Sequence, residues 1–332
     1  MKKLSLLLSL LLCLTPLFGC ASTPERNASF FLMNTTVTVT LYTSNDALAE
    51  EVFEGCRSLL SELESLWARQ RADSETARMN ASESGVDDLD LRTVALLQKA
   101  LEVSRATGGA FDITVAPAVD LWQRCGEADR LPEKDELDAI LRLIGYQHLT
   151  LTEHTLIKSD PAIAVDLGGI GKGEAMTLLL DYLKTTTIVG GLVSFGSNVA
   201  VFGEKPSGKP FTVALRDPKN ASGTVGSLTL SAGKVLSVSG DYERYVTVGG
   251  ERYHHIVDPA TGYPAQSGLS SVAVVTDDGA FADALSTALF VMGEDAAMAF
   301  YRNGGYDFEA IFVTSDGEVR VTDGLTGCWQ KA

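Results

Sequence analysis

Threonine alternates with Val37, Val39 and Leu41 between Thr36 and Tyr42, which is the period of a half-buried strand. The period then changes. Leu48, Val52, Cys56, Leu59, Leu60, Leu63 and Leu66 form one stripe with acids opposite, and predict an amphipathic helix over 47–71. A second helical pattern covers 91–106 and stops at Gly108-Gly109. A third covers 132–143, and between the two a β-rich stretch surrounds Asp112 and ends at Pro117. Residues 150–158 have the pattern of a hairpin. An apolar run up to Asp166 predicts a strand, a glycine-rich turn follows, and a helical pattern runs over 173–184. Short apolar runs predict strands over 188–195, 199–202, 211–215, 225–230, 235–238 and 244–248, with another over 271–276. Phe281, Ala284, Leu285, Ala288, Leu289 and Met292 make the buried stripe of a late helix, and 310–321 closes with a hairpin at Asp316-Gly317. Helices and mostly antiparallel-looking strands are mixed irregularly and without internal repeats. The predicted fold class is α+β, as one large domain or two intimate ones.

The N-terminus changes this picture. Lys2 and Lys3 precede an apolar run to Phe18, and Leu17-Phe18-Gly19-Cys20 reads as a bacterial lipobox. The expectation is a signal peptide over 1–19, diacylation and N-acylation of Cys20, and a polar tether over 20–28. The folded domain then spans 29–325, on the extracytoplasmic face of a bacterial membrane. The run is short for a spanning helix. A formal net charge of −16 argues against nucleic acid, because little is available to neutralise a run of phosphates. A phosphorylated ligand would need local cations. Cys56, Cys125 and Cys328 show neither CxxC nor Cys/His spacing, so zinc is not expected. At most one disulfide is possible after export.

Three stretches carry candidate chemistry. In Val165-Asp166-Leu167-Gly168-Gly169-Ile170-Gly171-Lys172-Gly173-Glu174-Ala175 the glycines let backbone approach a ligand, and the helix behind them favours anions. Lys172 adds a full positive charge. Neither a Walker A loop nor a Rossmann fingerprint fits, and a packing turn is the plainer reading. His254 and His255 are adjacent, so on a strand they face opposite ways and one enters a site. A neutral imidazole is a suitable general base there, although a strand-end histidine bound to a carbonyl is common. Asp283 and Thr287 are four apart on one helix and offer hard oxygens, which suit Mg²⁺ better than zinc. A helix-start acid and a backbone-bonded threonine would look the same.

Together these stretches resemble the ApbE family of flavin transferases. The glycine turn resembles its VDLGGIAKG signature, His255-Ile256-Val257-Asp258-Pro259-Ala260-Thr261-Gly262 its HIIDPRTG motif, and Asp283-Ala284-Leu285-Ser286-Thr287 its metal motif. Gly109-Ala110-Phe111-Asp112 and Asp73-Ser74-Glu75, with Arg78 and Asn80, are similar to two further motifs. The likeness covers Phe30 to about Val321. It implies a T-fold-like set of mixed sheets with packed helices. It also implies Mg²⁺-dependent transfer of FMN from FAD, the substrate, to a threonine or serine hydroxyl of an acceptor protein, with release of AMP. The acceptor class it implies is a membrane electron-transfer subunit. By position it makes His255 the catalytic base. It puts Met33, Ala110, Phe111, Asp112, Asp166, Lys172 and Val257 around FAD, and Asp283, Thr287 and the Gly169 carbonyl on the metal. The chain departs from the pattern at Gln70 (usually an aromatic that packs on the flavin), at Ala72 (proline), at Ala116 (glycine) and at Ala260 (arginine). Hydrolysis of FAD to FMN and AMP on the same site, and a non-catalytic FAD-binding lipoprotein, are the alternatives.

Overall fold

The computed structural model describes residues 23–332, so the expected signal segment and Cys20 lie outside the described residues. The described residues begin with a hairpin of β1 (Glu25–Leu32) and β2 (Thr35–Tyr42), followed by α1 (Asp46–Trp67), α2 (Glu75–Ala81), β3 (Gly85–Val86), α3 (Leu91–Ala106), α4 (Ala116–Glu127) and α5 (Lys134–Leu141). A small hairpin, β4 (Leu149–Leu151) and β5 (Leu156–Lys158), leads to α6 (Gly171–Lys184). Then come β6 (Gly190–Phe195), β7 (Asn198–Gly203), β8 (Phe211–Asp217), β9 (Asn220–Leu230), β10 (Val235–Gly240), β11 (Tyr245–Val248), β12 (Glu251–His254) and β13 (Leu269–Thr276). The chain closes with α7 (Gly279–Met292), α8 (Glu294–Arg302), β14 (Glu309–Thr314), β15 (Val319–Val321) and β16 (Trp329–Lys331).

One eight-stranded sheet, in the order β1-β2-β6-β7-β10-β13-β14-β15, organises the fold, and its neighbours are all antiparallel. Strand alternation sends its side chains to two cores. Val272 and Val274 of β13 pack with Leu60, Leu97, Leu179 and Leu285 of the helices. Ala273 and Val275, on the other face, pack with Phe211, Leu215 and Leu228 of the small sheet β16-β9-β8. All eight residues of β13 are buried for that reason. A third cluster, from Leu121, Trp122 and Cys125 of α4 and Leu137 and Ile140 of α5, supports Val257. Trp122 Nε1 also donates to the Gly262 carbonyl at 2.7 Å, which anchors the turn after His255. The α+β class is the one the periodicities predict.

Four local readings differ. The tether expected over 20–28 gives way to strand at Glu25. This edge strand is held by polar pairs, such as Thr40 Oγ1 to Asn27 Oδ1 at 2.6 Å, so its composition looks like a linker. Pro117 does not end a β-rich stretch but sits in the first turn of α4, where the N–H it lacks would have no helical partner. The helix expected to reach 71 ends at Trp67. Ser74 then donates to the Ala68 carbonyl at 2.7 Å and accepts from Ala77 N–H at 3.0 Å, joining the end of α1 to α2. Helix α8 was not expected at all. Cys56, Cys125 and Cys328 are free thiols.

The crossing of α6 on α7 places the site. It occurs at Gly173 and Gly279, where a Cβ on Gly173 would lie 1.9 Å from the Gly279 carbonyl oxygen. A Cβ on Gly279 would in turn lie 2.1 Å from the Gly173 carbonyl oxygen. Lys99 on α3 clamps the crossing, its Nζ 2.6 Å from Glu174 and 2.8 Å from Asp278. Gly173→Ala is therefore expected to destabilise the protein by about 3 kcal/mol or more, because the obstructing atoms are backbone. Urea denaturation measures this, and a loss under about 1 kcal/mol would mean that the helices separate freely.

Candidate active site

A cleft of about 1030 Å³ lies between the end of α1, the β1–β2 turn, the glycine turn, β8 and the segment from His255 to Pro259. Met33, Ala110, Phe111, Asp112, Asp166, Gly169, Lys172, His255, Val257, Asp283 and Thr287 all line it. The residues singled out from the sequence thus share one cavity, although more than 250 residues of chain separate Met33 from Thr287.

Met33 reaches the cleft because the β1–β2 turn takes left-handed backbone at Met33 and Asn34, with φ of 52° and 57°. Glu64 on α1 holds the turn by accepting from Met33 N–H at 2.6 Å. The strand expected before the glycine turn does not form, since residues 163–167 pair with no sheet. The run is held instead by Asn80, whose side chain donates to the Val165 carbonyl at 2.9 Å and accepts from Val165 N–H at 2.7 Å. Lys158 is buried beside it and donates to the Ile163 carbonyl at 2.9 Å and the Pro161 carbonyl at 3.1 Å. Burial lowers the pKa of this lysine below its ordinary value. Asp166 then caps the turn by accepting from Gly168 N–H at 2.8 Å, and its second oxygen is 3.4 Å from Arg69 Nε.

Asp112 lines the cleft, but its oxygens already have partners. One accepts from Thr114 N–H and Oγ1–H at 2.8 and 2.7 Å, and the other from Tyr146 N–H at 2.6 Å. Burial raises its pKa despite these bonds. Its structural work is to fix the turn that presents Phe111.

Asp283 is buried and faces the start of α6. Its oxygens accept from Gly173 N–H at 3.0 Å and from Asn198 Nδ2 at 3.0 Å. Helix α6 has no side-chain cap of its own, so Asp283 supplies an acceptor to its electropositive end. Lys172 Nζ donates to the Gly168 carbonyl at 2.8 Å and is 3.8 Å from Asp283. Thr287 stands one turn further along α7 and comes close to the glycine turn, since a Cβ on Gly169 would lie 3.8 Å from Thr287 Oγ1. Among the described residues no cluster of three or more His, Cys, Asp or Glu side chains is placed to hold a metal. A carboxylate, a hydroxyl and a backbone carbonyl are nevertheless hard donors. They fit Mg²⁺, which commonly keeps one or two carboxylates and completes its shell with water and substrate phosphate.

The two histidines separate as strand geometry requires. His254 turns inward, edge-on to Phe290 at 5.5 Å, with Nε2 3.0 Å from the Ala265 carbonyl. His255 faces the cleft. Its Nδ1 is 3.1 Å from the Arg244 carbonyl, which can only accept, so Nδ1 carries the proton and Nε2 is the free base. Burial and the nearby Arg244 charge lower its pKa from 6.5 to about 3, so the ring is neutral at physiological pH.

Sequence reasoning missed several lining residues. Arg69 bridges Asp120 at 2.8 Å and approaches Asp166. Arg216, on β8, lies over the Tyr242 ring at 5.4 Å. Phe31 is 74% exposed and lines the same cleft as Gln70, where the family pattern usually has an aromatic. A hydrophobic residue in a polar edge strand was the one sequence signal for it.

The sequence profile of the ApbE family matches residues 33–312. The chain is similar to the FAD:protein FMN transferase of Vibrio cholerae serotype O1, with 34% identity over 262 residues, 78% of each chain. It is also similar to that of Klebsiella pneumoniae strain 342, with 32% identity over 295 residues, 88% of this chain and 90% of the relative. Among solved structures it is similar to the ApbE protein of Thermotoga maritima, with a TM-score of 0.83 and 28% identity over 93% of this chain and all of that one. The flavin transferase ApbE of Vibrio cholerae is similar too, with a TM-score of 0.82 and 29% identity over 92% of this chain and 99% of that one.

Asn80→Ala tests how the glycine turn is held. It leaves a buried N–H and carbonyl of Val165 without partners, and should cost about 1–3 kcal/mol. Amide exchange should quicken at 165–169 in particular, and unchanged protection there would show that Asn80 does not hold the turn.

Proposed function

The chain belongs to the ApbE family, and on that premise we propose that it is an FAD:protein FMN transferase that attaches FMN to a threonine or serine hydroxyl of an acceptor protein. The observation that carries this reading is the convergence of the glycine turn, His255 Nε2 and the Asp283–Thr287 pair on one cleft. Few other arrangements of these groups would suit a dinucleotide whose diphosphate must be both neutralised and attacked.

In this reading FAD lies along the cleft with its diphosphate at the glycine turn, where the start of α6 and Lys172 offset its charge. Phe111, Met33 and Val257 supply apolar surface for the flavin. The acceptor hydroxyl gives its proton to His255 Nε2 and attacks the phosphorus on the FMN side. A new P–O bond forms, the bond to the AMP phosphate breaks, and AMP leaves with the electron pair. Arg244 fixes the imidazole through its carbonyl, so the base points outward from Nε2. Asp283, Thr287 and the Gly169 carbonyl would hold Mg²⁺, which when bound supplies further charge neutralisation on the diphosphate. The neutral state of His255 before substrate arrives suits a base. We further propose that the chain acts at the extracytoplasmic face of a membrane through a lipid on Cys20. Among the described residues no helix is long and apolar enough to cross a membrane.

Mass spectrometry of a candidate acceptor after incubation with FAD, Mg²⁺ and the protein tests the reading. The acceptor should gain FMN in step with AMP release. Rapid AMP and free FMN without an acceptor would make the protein a hydrolase instead. His255→Ala should slow transfer about 10²–10⁴-fold while FAD still binds, and wild-type speed would remove the assigned base. The His255 pKa is depressed, so its protonation cannot produce an acid limb near the ordinary 6.5. The pH profile of kcat/KM for FAD should stay flat down to about pH 5 and fall only below it.

A further inference from the structure

We propose that Ser239 and Ser286 form a hydroxyl relay that fixes the direction of the Thr287 proton and so sets the affinity of this site for a divalent cation. The inference rests on the cation site of the functional reading but concerns residues that would touch no cation themselves.

Each of the three hydroxyls has one proton and can accept more than one. Ser286 is fully buried on α7, and its Oγ donates to the Asp283 backbone carbonyl at 2.8 Å. That carbonyl can only accept, so the Ser286 proton is committed to it. Ser239 on β10 has its Oγ 2.8 Å from Ser286 Oγ. Since Ser286 has no second proton, Ser239 must donate in this contact. Ser239 Oγ is also 3.1 Å from Thr287 Oγ1, and with its own proton used it must accept there. Thr287 is therefore the donor to Ser239. Its proton points toward β10, and the lone pairs of Oγ1 are left for the side where Gly169 approaches.

The direction matters because a hydroxyl binds a cation through its lone pairs. A Thr287 proton aimed at the cation would oppose binding, whereas one held by Ser239 does not. The relay runs from helix to strand and back, so it also fixes the Thr287 rotamer against β10. Ser239 and Ser286 are positioning residues in this sense. Neither is charged and neither has a motif that marks it.

Mn²⁺ titration followed by electron paramagnetic resonance, on protein free of metal and flavin, reads the effect without turnover. Ser239→Ala removes the acceptor for the Thr287 proton, and Ser286→Ala frees the Ser239 proton to point at Thr287. Each should weaken Mn²⁺ binding about tenfold or more, as loss of an outer partner of a metal ligand commonly does. Ser239→Thr keeps a hydroxyl and should recover most of the affinity. Metal-free unfolding midpoints separate this from a general loss of structure, and Ser286→Ala reads the relay independently if Ser239→Ala folds poorly. Mn²⁺ affinities of both alanine variants within about twofold of wild type, with Thr287→Ala clearly weaker, would overturn the relay. An unchanged Thr287→Ala would remove the cation site itself, and the relay with it.

Discussion

The active-site geometry depends on one contact without side chains, where Gly173 of α6 meets Gly279 of α7. Both residues lack a Cβ where a Cβ would strike the other backbone. The helices can therefore approach closely enough for Gly173 N–H to reach the Asp283 carboxylate. With even alanine at either position α6 would stand further off, and the electropositive end of that helix would face water rather than an acid. Thr177 completes the contact by accepting from Gly279 N–H at 2.8 Å, and Lys99 holds the helix starts together through Glu174 and Asp278. The same contact carries the glycine turn toward Thr287. Motifs more than a hundred residues apart in the chain thus belong to one rigid corner.

Charge is more evenly balanced around that corner than in the chain as a whole. The chain carries a formal net charge of −16, yet Arg69, Arg71, Lys172, Arg216 and Arg244 line the cleft beside Glu64, Asp112, Asp166, Glu243 and Asp283. Several of them are restrained before any ligand arrives. Arg69 pairs with Asp120, Arg71 with Asp73, and Lys172 approaches Asp283. These pairings lower the local field of an empty cleft and keep the long side chains in place. An anionic ligand then meets cations that already have a geometry, at little further cost in side-chain entropy. Asp283 is, with Asp112, one of the buried acids of the cleft. Its charge is tolerated in a buried position because Asn198, Gly173 N–H and Lys172 surround it.

The cleft positions that were legible in the sequence are those where an unusual residue interrupts a regular pattern. Four glycines with a lysine, paired histidines, and an acid inside a helix otherwise rich in alanine and leucine all stand out from their periodicity. The long helices and central strands were legible for the complementary reason, since their apolar spacing is regular. What escaped reading was set by tertiary partners. Strand β1 is polar because it is an edge, and α4 carries a proline in its first turn because a helix N-terminus has no use for that N–H. Arg69, Phe31 and Ser239 reach the cleft because of where α1 ends, where the β1–β2 hairpin turns and which face of β10 looks at α7. None of these is a property of the neighbouring residues in the chain.

The adjacent histidines show how far strand alternation alone can fix chemistry. His254 is the last residue of β12 and His255 follows it with its N–H 3.1 Å from the Arg244 carbonyl, so the two face opposite ways and the position of one decides that of the other. His254 packs edge-on to Phe290 of α7, beside a carbonyl that takes its Nε2. A core this close to α7 makes a one-residue slip costly, because a slip would move His255 into the core and leave His254 at the cleft. The ring packed on Phe290 therefore indexes the segment and leaves the other at the cleft. The Trp122 bond to Gly262 and the packing of Val257 on α4 and α5 pin the other end of the same segment. Held at both ends, His255 needs only the Arg244 carbonyl to select its tautomer, and one backbone acceptor is enough to decide which nitrogen is left without a proton.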